Sequence, residues 1–271
     1  MDGLKEEGVT IELGTHVVSC TQKEGAGKVN LEVQTIESGK KKVVLASDVI
    51  VTVPPTRYRD IIFDPKLPQM DYCNEMNMGK CIKTVLAYKE RVSFLTYDVF
   101  ILCLSRQLTT YTASQWWNKT SGFADPLLGT PITLVFDVSH DNEPMLATFF
   151  YGDNAVKFSG DDKKELRKKE AIAGAQRLVG SDPSSPDERS FHPLSVVEGD
   201  WPSMPYIFGG YAGVPPVSSI TKHKHYRSTL ASSVGNVHFA GTETSNEWAG
   251  YIEGAMLSGQ KIADEVAEKY I

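Results

Sequence analysis

The first third of the chain alternates apolar and polar positions in a way that predicts β-strands. Three such runs are Val9 to Gln22, Val29 to Ile36 and Lys41 to Val53, with glycine-containing turns between them. Because short turns join neighbouring strands, the three runs are expected to pair as a meander. The third run is almost continuously apolar and stops at Pro54 and Pro55, which cannot donate to a sheet.

The middle of the chain predicts a second group of elements. Gln69 to Lys80 suits a short helix, and in the strand that follows, Cys81, Lys83 and Val85 alternate with Ile82, Thr84 and Leu86. Four further strands are predicted, at Tyr97 to Leu104, Thr109 to Ser114, Pro131 to Ser139 and Met145 to Tyr151. A helix capped by Asp161 or Asp162 and ending at Gly180 is expected. Its spacing predicts a packed face of Leu166, Ile172 and Leu178, with its lysines and arginines in solvent.

The segment from Asn236 to Glu268 predicts a buried strand, a polar turn and a long helix. Val237, Phe239 and Ala240 suit a strand covered on both faces. The helix from Tyr251 onward repeats apolar residues at helical spacing, which predicts a packed face of Ala255, Ile262, Ala263 and Val266.

The turn between that strand and helix has the chemistry of a binding site for a bulky cofactor. Gly241 lets the backbone come close to a ligand, and Thr242, Glu243 and Thr244 offer donors and acceptors suited to a polyol or ribityl chain. The free N–H groups at the start of the helix, entered through Gly250, suit an electron-rich ring carbonyl such as that of a reduced flavin.

This segment resembles the flavin-binding signature of the flavin-containing amine oxidases, the family of the monoamine, polyamine and L-amino-acid oxidases. The matching residues are Phe239 to Thr244, Trp248, and Gly250 to Ala255, in the family's order. The resemblance implies FAD as cofactor and oxidation of an amine to an imine, with oxygen as the final acceptor and hydrogen peroxide as a product.

The resemblance also assigns roles to single residues. Lys83 matches the lysine that holds a water against the reactive nitrogen of the flavin, and Tyr251 matches an aromatic wall that orients the amine. Tyr211 stands where the monoamine oxidases carry a cysteine bonded to the flavin, so the cofactor is expected to be non-covalent. Alternatively, with a small gap, Tyr211 is the second tyrosine of the wall. The residues expected to bind the cofactor are Val17, Trp201, Gly210, Gly241, Thr242, Glu243, Thr244, Trp248, Gly250 and Ile252.

The G-x-G-x-x-G turn that opens a complete enzyme of this family has no counterpart in the sequence. The resemblance covers essentially all 271 residues but only the C-terminal half, or slightly more, of such an enzyme. The chain is therefore expected to be part of a longer product, a half that needs an N-terminal partner, or a remnant. Alone, it is expected to bind FAD weakly or not at all. The expected fold is α/β plus α+β, with a partial Rossmann-like FAD domain in 1–58 and 206–271 and an antiparallel-sheet substrate domain in 59–205.

Composition and charge narrow the remaining classes of function. A net charge of -6 argues against nucleic-acid binding. No signal peptide and no run of about 18 apolar residues is visible, so a soluble, cytoplasmic protein without a membrane partner is expected. The four cysteines lack metal-site or disulfide spacing and are expected to be reduced and buried. The expected function is FAD-dependent amine oxidation. The alternatives are a non-catalytic binding or scaffold protein and a relative of the L-amino-acid or polyamine oxidases.

Overall fold

A computed structural model describes residues 8–23, 25, 27–89, 121–123, 130–140, 143–178, 192–222 and 226–271. The strands predicted at Tyr97 to Leu104 and Thr109 to Ser114, the helix end at Gly180 and the cysteine Cys103 lie outside these residues.

The strands are β1 (Thr15–Gln22), β2 (Val29–Thr35), β3 (Lys41–Ala46), β4 (Val49–Val51), β5 (Ile62–Asp64), β6 (Asn77–Met78), β7 (Cys81–Ala87), β8 (Ser121–Phe123), β9 (Leu134–Asp137), β10 (Met145–Tyr151), β11 (Ser195–Asp200), β12 (Gly213–Val214) and β13 (Val237–Phe239). The α-helices are α1 (Met70–Glu75), α2 (Asp153–Phe158), α3 (Lys164–Leu178), α4 (Val217–Lys222), α5 (Tyr226–Ala231) and α6 (Ile252–Ala267). Short 3-10 turns lie at Pro55–Asp60, Asp161–Lys163, Trp201–Ser203, Thr242–Thr244 and Glu268–Tyr270.

The chain divides into two compact units, a first unit of residues 1–78 and 212–271 and a second unit of residues 79–211. The divisions expected from the sequence were after residues 58 and 205. Residues 59–78 belong to the first unit because Leu67, Tyr72, Cys73 and Met76 are buried in the same hydrophobic core as Phe239. The mixed α/β and α+β architecture is as predicted.

The first unit contains the predicted meander. β1, β2 and β3 pair antiparallel, and β5 adds parallel to β1. The third predicted strand is split, because β4 leaves the meander and pairs parallel with β13. The split occurs at Ser47 and Asp48, and the Asp48 carboxylate accepts hydrogen bonds from Lys269 and His238 at 2.7 and 2.9 Å.

The second unit is built on a five-stranded antiparallel sheet in the order β11, β7, β10, β9, β8. Side chains alternate between its faces. One face packs under α2 and α3 and contains Ile82, Leu86, Leu146 and Phe150. The other face is covered by neither helix, and we call it the aromatic face. It is defined by Lys83, Phe136, Phe149, Tyr151 and Trp201.

The packed face of α3 differs in part from the predicted one. Ile172 is half-buried and packs against the core, as predicted, and the side chain of Leu178 lies outside the described part of the structure. Leu166 is 46% exposed, whereas Arg167, Ala171 and Ala175 are buried. The guanidinium of Arg167 forms a two-pronged ion pair with Glu198, at 2.6 and 3.0 Å, and donates to backbone carbonyls. The prediction that the basic run is wholly solvated is therefore wrong at Arg167, which is buried because it is paired and hydrogen-bonded.

The packed face of α6 also differs from the predicted one. Its buried residues are Gly254, Ser258 and Ile262, each four residues after the last, while Ala255 and Ala263 are exposed. Ile262 is buried, as predicted, and Val266 is half-buried. The burial of two small residues reflects close approach of neighbouring backbone, which a hydrophobicity pattern does not register.

Three cysteines in the described part of the chain, Cys20, Cys73 and Cys81, are free and buried, as expected. Burial raises the pKa of the Cys20 thiol to about 11 and that of Cys73 to about 12. Both thiols are therefore protonated at neutral pH. Among the described helices, none combines the length and apolar character needed to cross a membrane.

Candidate functional site

Lys83 lies in the middle of β7, on the aromatic face. Its neighbours across the sheet are Phe149 on one side and Gly199 on the other. The Lys83 Nζ atom is 5.8 Å from the centroid of the Phe149 ring, a cation–π distance. The side chain is neither fully buried nor fully exposed. Its cation therefore stands over an apolar aromatic surface where it remains accessible.

Trp201 lies beside Lys83 on the same face, and two glycines make room for it. A Cβ atom on Gly199, the strand partner of Lys83, would come within 3.1 Å of the indole, and one on Gly210 would lie 3.9 Å from it. The Gly210 N–H donates to the carbonyl of Gly79 at 2.8 Å, which holds the loop of Gly209 and Gly210 against the start of β7. Lys83, Trp201 and Gly210, three residues predicted from the sequence, are thus brought together.

Tyr211 follows this loop and contacts a tyrosine that the sequence did not single out. Its hydroxyl is hydrogen-bonded to that of Tyr151, with ring centroids 5.8 Å apart. Tyr151 in turn stacks on Phe149 at 5.7 Å, and the Cys81 thiol lies against both hydroxyls. Burial raises the pKa of Tyr151, and burial of the hydroxyl end raises that of Tyr211, although its side chain is 65% exposed. Burial likewise raises the pKa of the Cys81 thiol.

The turn after β13 is held by its own side chains. Gly241 has φ 144°, a conformation that favours glycine, and its N–H donates to Ser258 Oγ of α6 at 3.0 Å. The Thr244 hydroxyl is buried and donates back to the Gly241 carbonyl at 2.8 Å. Thr244 therefore shapes the turn from inside.

Thr242 organises the loop that leads into α6. Its Oγ1 accepts from the Gly250 N–H at 2.6 Å and donates to the Tyr251 carbonyl at 2.9 Å. Trp248, in the left-handed region at φ 54°, brings its carbonyl against the helix, where a Cβ on Gly254 would lie only 2.3 Å from it. The Gly254 position in the signature is thus explained by packing of the loop backbone.

The N-terminus of α6 is open. Tyr251 is its N-cap, with no side-chain capping bond, and Tyr251 and Ile252 are 66% and 81% exposed. Trp248 meets Tyr251 edge to face at 6.0 Å and is itself 62% exposed. The first N–H groups of this helix, with the positive end of its dipole, are therefore available to an electron-rich ligand.

Glu243 lies beside a group of buried polar side chains that sequence reasoning missed. Its Oε1 accepts from the Gly213 N–H at 2.8 Å, and the Thr56 methyl lies within 3.1 Å of where a Gly213 Cβ would be. Among the described residues, the hydroxyls of Thr56 and Tyr58 are buried without a hydrogen-bond partner. Burial, with a smaller contribution from the Glu243 charge, raises the pKa of Tyr58. No local pattern marks these residues, because they follow Pro54 and Pro55 in an ordinary turn.

Val17 lies on β1, away from the turn residues in the sheet topology. Along an antiparallel strand pair, the N–H and C=O groups of successive residues point alternately toward and away from the partner strand. The hydrogen bond from the Ile36 N–H to the Gly14 carbonyl shows that Gly14 points toward β2, and so does every second residue after it up to Val17. The N–H and C=O of Val17 therefore point away from β2, while β5 pairs with β1 only from Ser19 to Thr21. Backbone groups of Val17 are thus positioned on the strand edge that could meet a ligand.

The predicted residues fall into three groups. The second unit brings together Lys83, Trp201, Gly210 and Tyr211, and the first unit brings together Gly241 to Thr244, Trp248 and Gly250 to Ile252, with Val17 separate on β1. The first-unit group fits a flavin. Its helix N-terminus is uncapped by side chains, and no atom lies within 4 Å above Gly250. Buried polar groups without partners lie beside Glu243.

Comparison with known proteins shows which family the chain matches. Residues 2–267 match the family model described as flavin containing amine oxidoreductase. The chain is similar to the flavin-containing amine oxidases of Oncorhynchus mykiss, 28% identical over 85% of this chain and 39% of that protein, and of Danio rerio, 27% identical over 96% and 44%.

Solved structures show the same fold. Cyclohexylamine oxidase from Brevibacterium oxydans has a TM-score of 0.73 and 21% identity over 99% of this chain, and putrescine oxidase bound to putrescine has a TM-score of 0.72 and 21% identity over 98%. The chain corresponds to 51% of each of these structures. It spans less than half the length of the two fish relatives. On the match over nearly its whole length, the chain belongs to the flavin containing amine oxidoreductase family.

Proposed function

We propose that this chain is the substrate-binding sheet and part of the cofactor-binding domain of an FAD-dependent amine oxidase that uses oxygen as acceptor. The observation that carries the proposal is the accessible Lys83 cation on the aromatic face, beside Phe149 and Trp201. Relatives named as amine oxidases, and the fold shared with cyclohexylamine and putrescine oxidases, support it.

The chemistry divides between the cofactor and the chain. Bound flavin would supply the two-electron acceptor for a hydride from the carbon next to the amine nitrogen. Lys83 would hold and orient a water through its ammonium group, and Tyr211 and Tyr251 would orient the amine by their ring faces. Trp201 and Gly210 would give the flat surface against which the ring system rests. The imine product would then hydrolyse in solvent.

Cofactor contacts in the first unit would come mainly from backbone groups. Thr242, Glu243 and Thr244 have hydrogen-bond partners within the protein, so their side chains would fix the shape of the turn. The N–H groups of Gly241 and Thr244 are bonded within the protein, so those of Thr242 and Glu243 would be the ones to face the cofactor. Gly250 and Ile252 would contribute the open helix start, Trp248 an aromatic wall, and the backbone of Val17 the adenine contact.

We propose that the FAD is held without a covalent bond. Tyr211 offers no sulfur, and the neighbouring Cys81 is fully buried with a raised pKa, which makes it a poor nucleophile. Acid precipitation of the loaded protein should therefore release all of the flavin into the supernatant. Flavin fluorescence that stays with the denatured chain would refute non-covalent binding.

We further propose that a dinucleotide-binding segment completes the first unit. β4 and β13 form a two-stranded parallel sheet, although parallel strands usually lie within larger, covered sheets. α6 also exposes Ile252, Met256 and Leu257. A parallel strand added to this sheet would extend it, and the helix that follows such a strand would cover the exposed apolar residues of α6. Equilibrium dialysis should accordingly find only weak FAD binding by the 271-residue chain, and a tight stoichiometric complex would argue against the need for this segment.

The catalytic proposal is tested by Lys83→Met in protein completed with a dinucleotide-binding segment. If the ammonium acts in the transition state, the rate of flavin reduction or of reoxidation should fall while amine binding changes little. Lys89→Met, which removes an exposed lysine just beyond β7, is the matched control. Stopped-flow measurement of flavin reduction and of reoxidation shows in which half-reaction Lys83 acts. If Lys83→Met changes neither rate, this lysine is structural.

A further inference from the structure

Tyr151 joins the aromatic face to Tyr211. It is the last residue of β10, where it pairs with Cys81, and its ring lies nearly parallel to that of Phe149, with 2° between the planes. Its hydroxyl bonds to that of Tyr211, and the two rings are inclined by 59°. Tyr151 is therefore fixed by a strand and by stacking before it contacts Tyr211.

Tyr211 itself has little other support. The loop before it is anchored through its backbone, by Gly210 N–H to the Gly79 carbonyl and by Lys80 Nζ to the Phe208 carbonyl, both at 2.8 Å. These bonds fix the chain but not the tyrosine ring, which is 65% exposed. The polar groups that meet its hydroxyl in the described part of the chain are the Tyr151 hydroxyl and the Cys81 thiol. A thiol is a weak hydrogen-bonding group, so Tyr151 is the main anchor.

We propose that Tyr151 is a positioning residue, which holds the ring of Tyr211 beside the aromatic face through its hydroxyl and so fixes the surface against which the amine packs. The inference rests on the proposed function for its catalytic consequence only. An exposed aromatic side chain that loses its single strong anchor samples several rotamers, and ordering it again opposes substrate binding. Loss of the Tyr151 hydroxyl would change the order of the Tyr211 ring but not the groups that react. We therefore expect it to lower the affinity for the amine and to leave the chemical step nearly unchanged.

The first test needs neither cofactor nor activity. The 271-residue chain is labelled with 3-fluorotyrosine, and the Tyr211 resonance is identified as the one lost in Tyr211→Phe. In Tyr151→Phe, which keeps the stacking on Phe149, this resonance should narrow and move toward that of an exposed, mobile tyrosine. Tyr88→Phe, which removes a buried hydroxyl near the helix-covered face, is the control and should leave the resonance in place. An unchanged Tyr211 resonance in Tyr151→Phe overturns the proposal.

The second test uses protein completed with a dinucleotide-binding segment. Tyr151→Phe should raise the KM for the amine about threefold to tenfold, the cost of ordering one side chain, with flavin reduction at saturating amine nearly unchanged. Adding Tyr151→Phe to Tyr211→Ala should have no further effect, because the ring that it positions is gone. An equal rise in KM on both backgrounds overturns the proposal. If Tyr211→Ala alone leaves KM unchanged, the role proposed for Tyr211 fails, while the fluorine resonance still decides whether Tyr151 holds it.

Discussion

Replacing Gly254 by alanine tests whether the loop before α6 is set by backbone packing. A Cβ at this position would lie 2.3 Å from the Trp248 carbonyl oxygen and 2.8 Å from its carbon. Both are backbone atoms, which cannot turn aside as a flexible side chain could. The Trp248 carbonyl also accepts from the Tyr251 N–H at 3.0 Å. The substitution must therefore displace the loop that carries Trp248 and Tyr251.

The expected magnitude follows from two opposing effects. Alanine gains about 1 kcal/mol over glycine in helix propensity. Overpacking costs about 1–3 kcal/mol, and a contact this close with backbone belongs at the upper end of that range. Gly254→Ala should therefore lower the free energy of unfolding by about 1–2 kcal/mol. Gly259→Ala is the matched control in the same helix, because no atom lies within 4 Å of its added Cβ, and it should raise the stability by about 0.5–1 kcal/mol.

Urea unfolding of the two variants and the parent chain, followed by circular dichroism, measures the difference. The two substitutions should shift the midpoint in opposite directions with unchanged slope. The intrinsic fluorescence of Trp248 should change in Gly254→Ala alone. Stabilisation by Gly254→Ala comparable to that by Gly259→Ala would show that the loop yields freely, and the explanation of the signature glycine would then be wrong.

Three further outcomes can be measured in the chain as it stands. Arg167→Met should cost about 3–5 kcal/mol in urea unfolding because it leaves the Glu198 carboxylate unpaired in a largely buried site, and a loss below 1 kcal/mol would contradict this. Burial would raise the pKa of Asp48, but hydrogen bonds from Lys269, Tyr270 and His238 outweigh it and hold the pKa below its usual range. The folded state therefore gains stability from this carboxylate above the unfolded pKa of about 4 and loses it as the pH falls. Asp48→Asn should flatten the acid side of a pH–stability profile, and an unchanged profile would exclude this contribution. Tyr58→Phe should be neutral or stabilising in thermal unfolding, because it removes a buried hydroxyl without a partner, whereas a loss of more than about 1 kcal/mol would reveal a hidden partner.

Local patterns sufficed where a strand or helix is defined by its own sequence. β10 was predicted with the bounds that it has, Met145 to Tyr151, because its apolar run lies between Pro144 and Gly152. The helix α6, predicted from Tyr251 onward, begins at Ile252 with Tyr251 as its N-cap, directly after Gly250. The side of β7 that carries Lys83 followed from strict alternation, since a period of two allows only two faces.

Long-range contacts decided the features that the sequence did not predict. Arg167 lies in a run of charged residues that looks solvated, and its burial depends on Glu198 on β11. The separation of β4 from β3 depends on pairing with β13, far along the chain. The hydroxyl of Tyr211 contacts that of Tyr151, sixty residues away along the chain, and no local motif records such a contact.

The central claim is that this chain belongs to a flavin enzyme that oxidises amines, and amine-driven flavin reduction tests it most directly. Protein completed with a dinucleotide-binding segment, loaded with FAD and freed of oxygen, is mixed with a panel of amines while the visible flavin absorbance is followed. We expect at least one amine to bleach the flavin, and oxygen then to restore the colour with one hydrogen peroxide formed per amine consumed. A stably bound flavin that no amine bleaches, in protein that a chemical reductant bleaches readily, would contradict the claim.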